Sequence, residues 1–148
     1  MHEKEIKVFM SVCEEFATLS HCISKKVAVV AVKDRRIIAT GINGTIPGQK
    51  NCDCCYNDGD FTREEHHEWS LKNEVHAEVN MIAYCAKHGI SLEGATVFST
   101  LQPCADCSKA LAVSGISKVI YKDEYAFTPP EASVVLKSAN IIVSKFKE

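Results

Sequence analysis

The sequence predicts an α/β fold, a three-layer α/β/α sandwich built on one mixed sheet of about five strands, with residues 1–148 forming a single domain. Three observations carry the prediction. Short β-branched apolar runs recur along the chain at strand length. In the second half they alternate with helical patterns, which calls for crossover connections and parallel pairing. The chain has 148 residues, 46% hydrophobic and 24% charged, which suits one globular domain with its own core.

The elements follow in order. Residues 5–19 predict an amphipathic helix, with Ile6, Phe9, Met10, Cys13, Phe16 and Ala17 at helical spacing. Val27–Val32 reads as a buried strand, Lys33-Asp34-Arg35 as a turn, and Ile37–Ile42 as the returning strand of a hairpin. Residues 43–70 show no clear period, open with Gly44, Pro47 and Gly48, and hold Cys52, Cys54, Cys55, His66 and His67. A loop this long in a compact domain is either functional or tied down. Then come a helix over Glu74–His88 stopped by Gly89, a strand over Thr96–Thr100, and a helix over Pro103–Val113 ending near Gly115. A strand over Lys118–Tyr121, a helix over Glu131–Ala139 and a strand over Ile141–Ser144 complete the chain.

The bulk properties narrow the function. The net charge of −2 offers no basic face, so no nucleic-acid partner is expected. The pairs Lys25-Lys26 and Arg35-Arg36 could hold one phosphate, or lie solvated on the surface. No apolar run approaches bilayer length and the N-terminus is charged, so neither a membrane partner nor a signal peptide is expected and the cytoplasm is the predicted location. Eight cysteines in such a compartment stay reduced, which favours metal binding or catalysis for the clustered ones. Cys13 and Cys85 fall inside helical patterns and read as small core residues.

Two short pieces carry chemistry: His76-Ala77-Glu78 and Pro103-Cys104-Ala105-Asp106-Cys107, each at a predicted helix start. Cys104 and Cys107, three apart, share one helix face. Pro103 suits the first helical position. The positive end of the helix favours thiolates, the form that binds zinc. A C-x-x-C alone could be a redox pair, a zinc site or an accident. With His76 the ligands number three, the catalytic count, because zinc then keeps one position for water, whose pKa falls to about 7. Glu78, two residues after His76, is placed to carry a proton from that water to a leaving amine.

The joint pattern H-x-E…P-C-x-x-C resembles that of zinc deaminases. The resemblance extends over about residues 22–145. His66-His67-Glu68-Trp69-Ser70, Lys72 through Asn80, Leu92 through Thr96, Thr100 through Cys104, Ser114-Gly115-Ile116 and the loop Thr40 through Gly48 are all similar to deoxycytidylate deaminases, especially those of T-even-type phages. The resemblance implies a cytidine deaminase-like fold and zinc-dependent hydrolysis of dCMP to dUMP and ammonia, feeding dTMP synthesis. It also implies site residues. His76, Cys104 and Cys107 would bind the catalytic zinc and Glu78 would shuttle the proton. Asn43 would bond the nucleotide sugar, Ala77 and Thr100 would read the cytosine edge, and Tyr121 would lie near the phosphate. A second, structural zinc would take Cys22, Cys52 and His66, with its remaining ligand open among Cys54, Cys55 and His67. Relatives form homo-oligomers, commonly hexamers, activated by dCTP and inhibited by dTTP through a site that includes Gly41, Ile42, Asn43 and Gly44. Ile42 here replaces the family's aromatic residue. Some relatives also deaminate dCTP.

Rival readings are an RNA- or DNA-editing deaminase, disfavoured by the acidic charge; a closed structural zinc module, disfavoured by Glu78 and three ligands; and a free-nucleoside cytidine deaminase, which typically has Cys where His76 stands.

Overall fold

The computed structural model describes residues 1–55, 61–126 and 128–148, with only the main chain of Cys54 and Cys55. Helix α1 (Glu3–Ala17) forms on the predicted apolar stripe. At its start the Glu5 carboxylate accepts the His2 N–H at 2.8 Å, satisfying a donor the helix leaves free. Strands β1 (Ala28–Lys33) and β2 (Arg36–Ile42) make the expected antiparallel hairpin. Asp34 and Arg35 between them both have positive φ, 50° and 61°, as a type I′ turn requires.

The segment without a sequence period holds more structure than expected. It contains β3 (Gly44–Thr45), α2 (Cys52–Cys55) and α3 (Arg63–Asn73). Thr62 caps α3: its hydroxyl accepts the Glu65 N–H at 3.1 Å, and the Glu65 carboxylate accepts the Thr62 N–H at 3.0 Å. The residue α3 buries is His66, so the helix has no apolar stripe for periodicity to reveal. Glu74 and Val75 then form β4, paired antiparallel with β3, instead of opening the next helix.

Helix α4 (Ala77–His88) therefore begins three residues later than expected and ends on Gly89 in the left-handed region. Strand β5 (Thr96–Leu101) follows. Helix α5 (Ala105–Ala112) has Cys104 as its N-cap, so Pro103 stands before the helix, not in its first turn. Strand β6 (Lys118–Asp123), α6 (Glu131–Ser138) and β7 (Ile142–Lys145) complete the fold.

The sheet order is β2-β1-β5-β6-β7, antiparallel on either side of β1 and parallel from β5 to β7. Ala28, Val30 and Val32 meet Met10 and Cys13 of α1, with Phe98 and Ile120, on one face. Val29 and Ala31 meet Met81 and Cys85 of α4, Leu111 of α5 and Leu136 of α6 on the other. Burial on both faces explains why β1 reads as an unbroken apolar run. The result is the three-layer sandwich, and Cys13 and Cys85 are core residues. Among the described residues no helix is long and apolar enough to cross a membrane.

Candidate active site

His76 sits between β4 and α4 in extended conformation, as the N-cap of α4. Cys104 holds the same position on α5, and Cys107 follows one turn into that helix. Capping positions leave the side chain outside the helical ladder, free to turn toward a shared point. The His76 Nδ1 lies 3.5 Å from Cys104 Sγ and 3.4 Å from Cys107 Sγ. Cys104 Sγ also accepts the Cys107 N–H at 3.5 Å. The three donor atoms lie within 4.8 Å of one another.

Electrostatics favour a thiolate here. The Cys107 thiol, and then the His76 ring, bond the Cys104 sulfur and hold its pKa down to about 4. Cys107 is pushed up in turn, because it shares its proton with that thiolate and is buried. The same thiolate raises His76. Glu78, in the first turn of α4, is 4% exposed and lies against the Cys107 thiol. Burial raises its pKa toward the range where a carboxyl can both accept and release a proton. Two thiols and an imidazole are the donor set of a zinc site, and three of them leave a coordination position for water.

A second cluster lies alongside. Cys52 Sγ is 3.0 Å and Cys22 Sγ 3.8 Å from His66 Nε2, while Glu74 Oε1 is 3.6 Å from Cys22 Sγ and 3.7 Å from His66 Nε2. Cys22, Cys52 and His66 are all nearly inaccessible, and so is the Glu74 side chain. Glu74 Oε2 is buried without a hydrogen-bond partner among the described residues, which is costly unless a cation completes it. Burial also raises both thiols, Cys52 to about 12, a penalty that a bound cation relieves. These four donors fit a closed structural zinc site. Among the described residues Glu74 joins the three expected ligands in this cluster. His67 is not in the cluster, and the side chains of Cys54 and Cys55 lie outside the described residues. The extended backbone of β4 puts Glu74 and His76 on one side of the chain, so one tripeptide serves both clusters.

Both clusters border one cavity. Asn43, Ala77 and Glu78 line it, together with Ser24, Lys25, Arg63, His67, Gln102 and Tyr125. Lys25 was legible as half of a basic pair and Gln102 fell within the family-like stretch Thr100 through Cys104; Tyr125 and Arg63 were not singled out in the sequence. Two expected substrate residues do not line the cavity. The Thr100 hydroxyl turns instead to β1, where it accepts the Ala28 N–H at 3.1 Å. Tyr121 lies within β6, paired with Ser99 and Lys145. Leu101 and Tyr125, nearer the C-terminal ends of β5 and β6 where such clefts open, take their places in the wall.

The loop from Gly41 to Gly44 is an anchor. A Cβ on Gly41 would lie 2.2 Å from the Ala77 carbonyl oxygen, so only glycine lets β2 approach the start of α4 so closely. Asn80 Nδ2 donates to the Ile42 carbonyl at 2.9 Å. Asn43 Oδ1 accepts from the Val27 N–H at 2.9 Å and the Ser20 hydroxyl at 2.7 Å, and its amide donates to the Lys25 carbonyl at 2.8 Å. Gly44 pairs with Val75.

Comparison with known proteins agrees with this chemistry. The cytidine and deoxycytidylate deaminase zinc-binding region matches residues 3–123. The chain is 39% identical over 155 residues to the deoxycytidylate deaminase of Enterobacteria phage T2, covering 84% of this chain and 82% of that protein. It is 38% identical over 156 residues to that of Enterobacteria phage T4, covering 84% and 80%. Among solved structures it is similar to the dCMP deaminase from cyanophage S-TIM5 in complex with dCMP and dUMP, with a TM-score of 0.82, 33% identity and 99% of each chain covered. The chain belongs to the cytidine and deoxycytidylate deaminase family.

Proposed function

We propose that the protein hydrolyses dCMP to dUMP and ammonia. The observation that carries this reading is the three-donor cluster with Glu78 beside it, opening on a cavity that also presents Lys25, Arg63 and His67. The first half serves deamination; the basic side chains suit a phosphate and favour a nucleotide over a free nucleoside.

His76, Cys104 and Cys107 would hold the zinc, which when bound would supply an acidified water. Glu78 takes the proton of the water that adds to C4 of cytosine, delivers it to N3, and carries a second proton to the departing amine. Net, one water is consumed and one ammonia released. The start of α4 at Ala77 faces the base, and the Asn43 amide, already fixed by Ser20, Val27 and Lys25, orients the sugar. Fixed partners keep these groups positioned before substrate arrives. Cys22, Cys52, His66 and Glu74 would hold a second, structural zinc.

Regulation by dCTP as activator and dTTP as inhibitor, use of dCTP as an additional substrate, supply of dUMP to dTMP synthesis, and assembly as a homo-oligomer, a hexamer, belong to the same reading. What supports an effector site is a second cleft lined by Ile42, Asn43, Gly44 and Thr45. A spectrophotometric assay of dCMP, dCTP and deoxycytidine, each with and without dTTP, tests the whole. Turnover of deoxycytidine at the rate of dCMP, or no turnover of any of them by the zinc-loaded protein, would sink it.

A further inference from the structure

We propose that Ser20 is a positioning residue for the substrate: its hydroxyl pins the loop that carries Lys25 to the cavity, and so sets affinity for the phosphate of a nucleotide. The inference rests on the reading above, in which Lys25 meets that phosphate.

Residues 18–27 join α1 to β1 without regular secondary structure. Such a loop has no ladder to fix it, so its main chain must find other partners. Here one side chain serves several of them. Asn43 Oδ1 accepts the Val27 N–H at 2.9 Å, and Asn43 Nδ2 donates to the Lys25 carbonyl at 2.8 Å. The Ser20 hydroxyl donates to Asn43 Oδ1 at 2.7 Å and lies 3.0 Å from the Asn43 carbonyl oxygen. It also accepts the Cys22 N–H at 3.2 Å. Three points of the loop, at residues 20, 25 and 27, therefore meet on one carboxamide. Ser20 is 3% exposed, so water does not stand in for these bonds.

A hydroxyl has a single proton to give. Its shorter contact makes Oδ1 the acceptor of two donors and fixes which way the carboxamide faces. Turned over, the amide would set an N–H against the Val27 N–H and an oxygen against the Lys25 carbonyl.

The loop separates two clefts. Ser24 and Lys25 face the cavity with Asn43 and Glu78, while Leu19, His21 and Cys22 line the second cleft with Asn43. Cys22 ties the loop to the four-donor cluster. The Lys25 side chain is exposed and makes no ion pair among the described residues. A long side chain without a partner is aimed by its backbone. That backbone is anchored by the Asn43 carboxamide, and the carboxamide by Ser20. The reacting groups are elsewhere: His76 and Glu78 belong to the start of α4, Cys104 and Cys107 to the start of α5. Loosening the loop should therefore weaken binding of the unreacting end and appear in KM, not in kcat.

The test is steady-state kinetics at matched zinc content on wild type, Ser20→Ala, Lys25→Ala and the Ser20→Ala/Lys25→Ala double variant. The substrates are dCMP and deoxycytidine, and melting temperature reports folding. Losing one neutral hydrogen bond should raise KM for dCMP roughly three- to tenfold and leave kcat within about twofold. Deoxycytidine, which has no phosphate, should change less. In the double variant the two effects should fall short of additivity, because Ser20 acts through Lys25. Three results would each overturn the proposal: a wild-type KM in Ser20→Ala, an equal loss with both substrates, or full additivity with Lys25→Ala. Turnover of neither substrate by the zinc-loaded wild type overturns the underlying reading together with it. Should Ser20→Ala not fold, Ser20→Cys, whose thiol is a weak donor, takes its place in the same comparison.

Discussion

Adding one methyl group at Gly41 tests how the catalytic helix is held. The new Cβ would lie 2.2 Å from the Ala77 carbonyl oxygen, 2.8 Å from the Met81 amide nitrogen and 2.9 Å from the Met81 Cβ. Non-bonded carbon contacts are most favourable at about 3.5–4.0 Å, so β2 and the first turn of α4 must separate by roughly 1 Å. Ala77 stands between His76 and Glu78, and the displacement reaches both. Overpacking of this kind costs about 1–3 kcal/mol. At roughly 2–4 °C per kcal/mol for a chain near this size, Gly41→Ala should lower Tm by roughly 2–12 °C. A misplacement of about 1 Å at a reacting group lowers kcat/KM roughly a hundredfold. Calorimetry and dCMP turnover at matched zinc content read the two effects. A variant that melts and turns over like wild type would refute the close approach itself. One that melts early but keeps its kcat/KM would show that the Gly41 contact supports the fold without setting the positions of His76 and Glu78.

Glu78→Ala should retain both zinc ions and lose about 10²–10⁴ in kcat; metal analysis beside steady-state kinetics checks this, and retained turnover would remove Glu78 from proton transfer. Cys104→Ser should weaken binding at the three-donor site, since a hydroxyl is a poor ligand at a soft site; full occupancy after dialysis against a mild chelator would count against it. Glu74→Ala should reduce zinc from two ions per chain to one, measured by elemental analysis, with two ions retained showing that the Glu74 carboxylate is not a ligand. Lys25→Ala should remove a charge-assisted bond of about 1.5–3 kcal/mol and raise KM for dCMP roughly ten- to hundredfold while leaving deoxycytidine unaffected; equal effects on both substrates would place Lys25 away from the phosphate.

Strands and core helices were legible because each has a buried face with its own period. β1 is apolar on both sides, and α1 and α4 repeat every three to four residues. α3 was not, because the one residue it fully buries, His66, is polar, so no apolar stripe marks its inward face. β3 and β4 are two residues each, too short for any alternation to register. The three-donor cluster was readable because His76, Cys104 and Cys107 are rare residue types at short spacings. Glu74 was hidden for a reason of conformation: read as the first residue of a helix, it points away from His76, whereas in extended β4 it lies on the same side. The helix starts were misplaced for a related reason, since His76 and Cys104 stand at N-cap positions in extended conformation, one residue before each helix.

The burial of His66 has a consequence for substrate affinity. α3 carries Arg63, His67 and Ser70 to the cavity wall, and its inward anchor is an imidazole that belongs to the four-donor cluster. Scarcity of metal in the surroundings would then act on two kinetic parameters by separate routes. On the proposed reading, losing an ion at His76 would silence individual molecules and lower apparent kcat, whereas losing one at His66 would loosen the wall that carries Arg63 and His67 and raise KM in molecules that can still turn over.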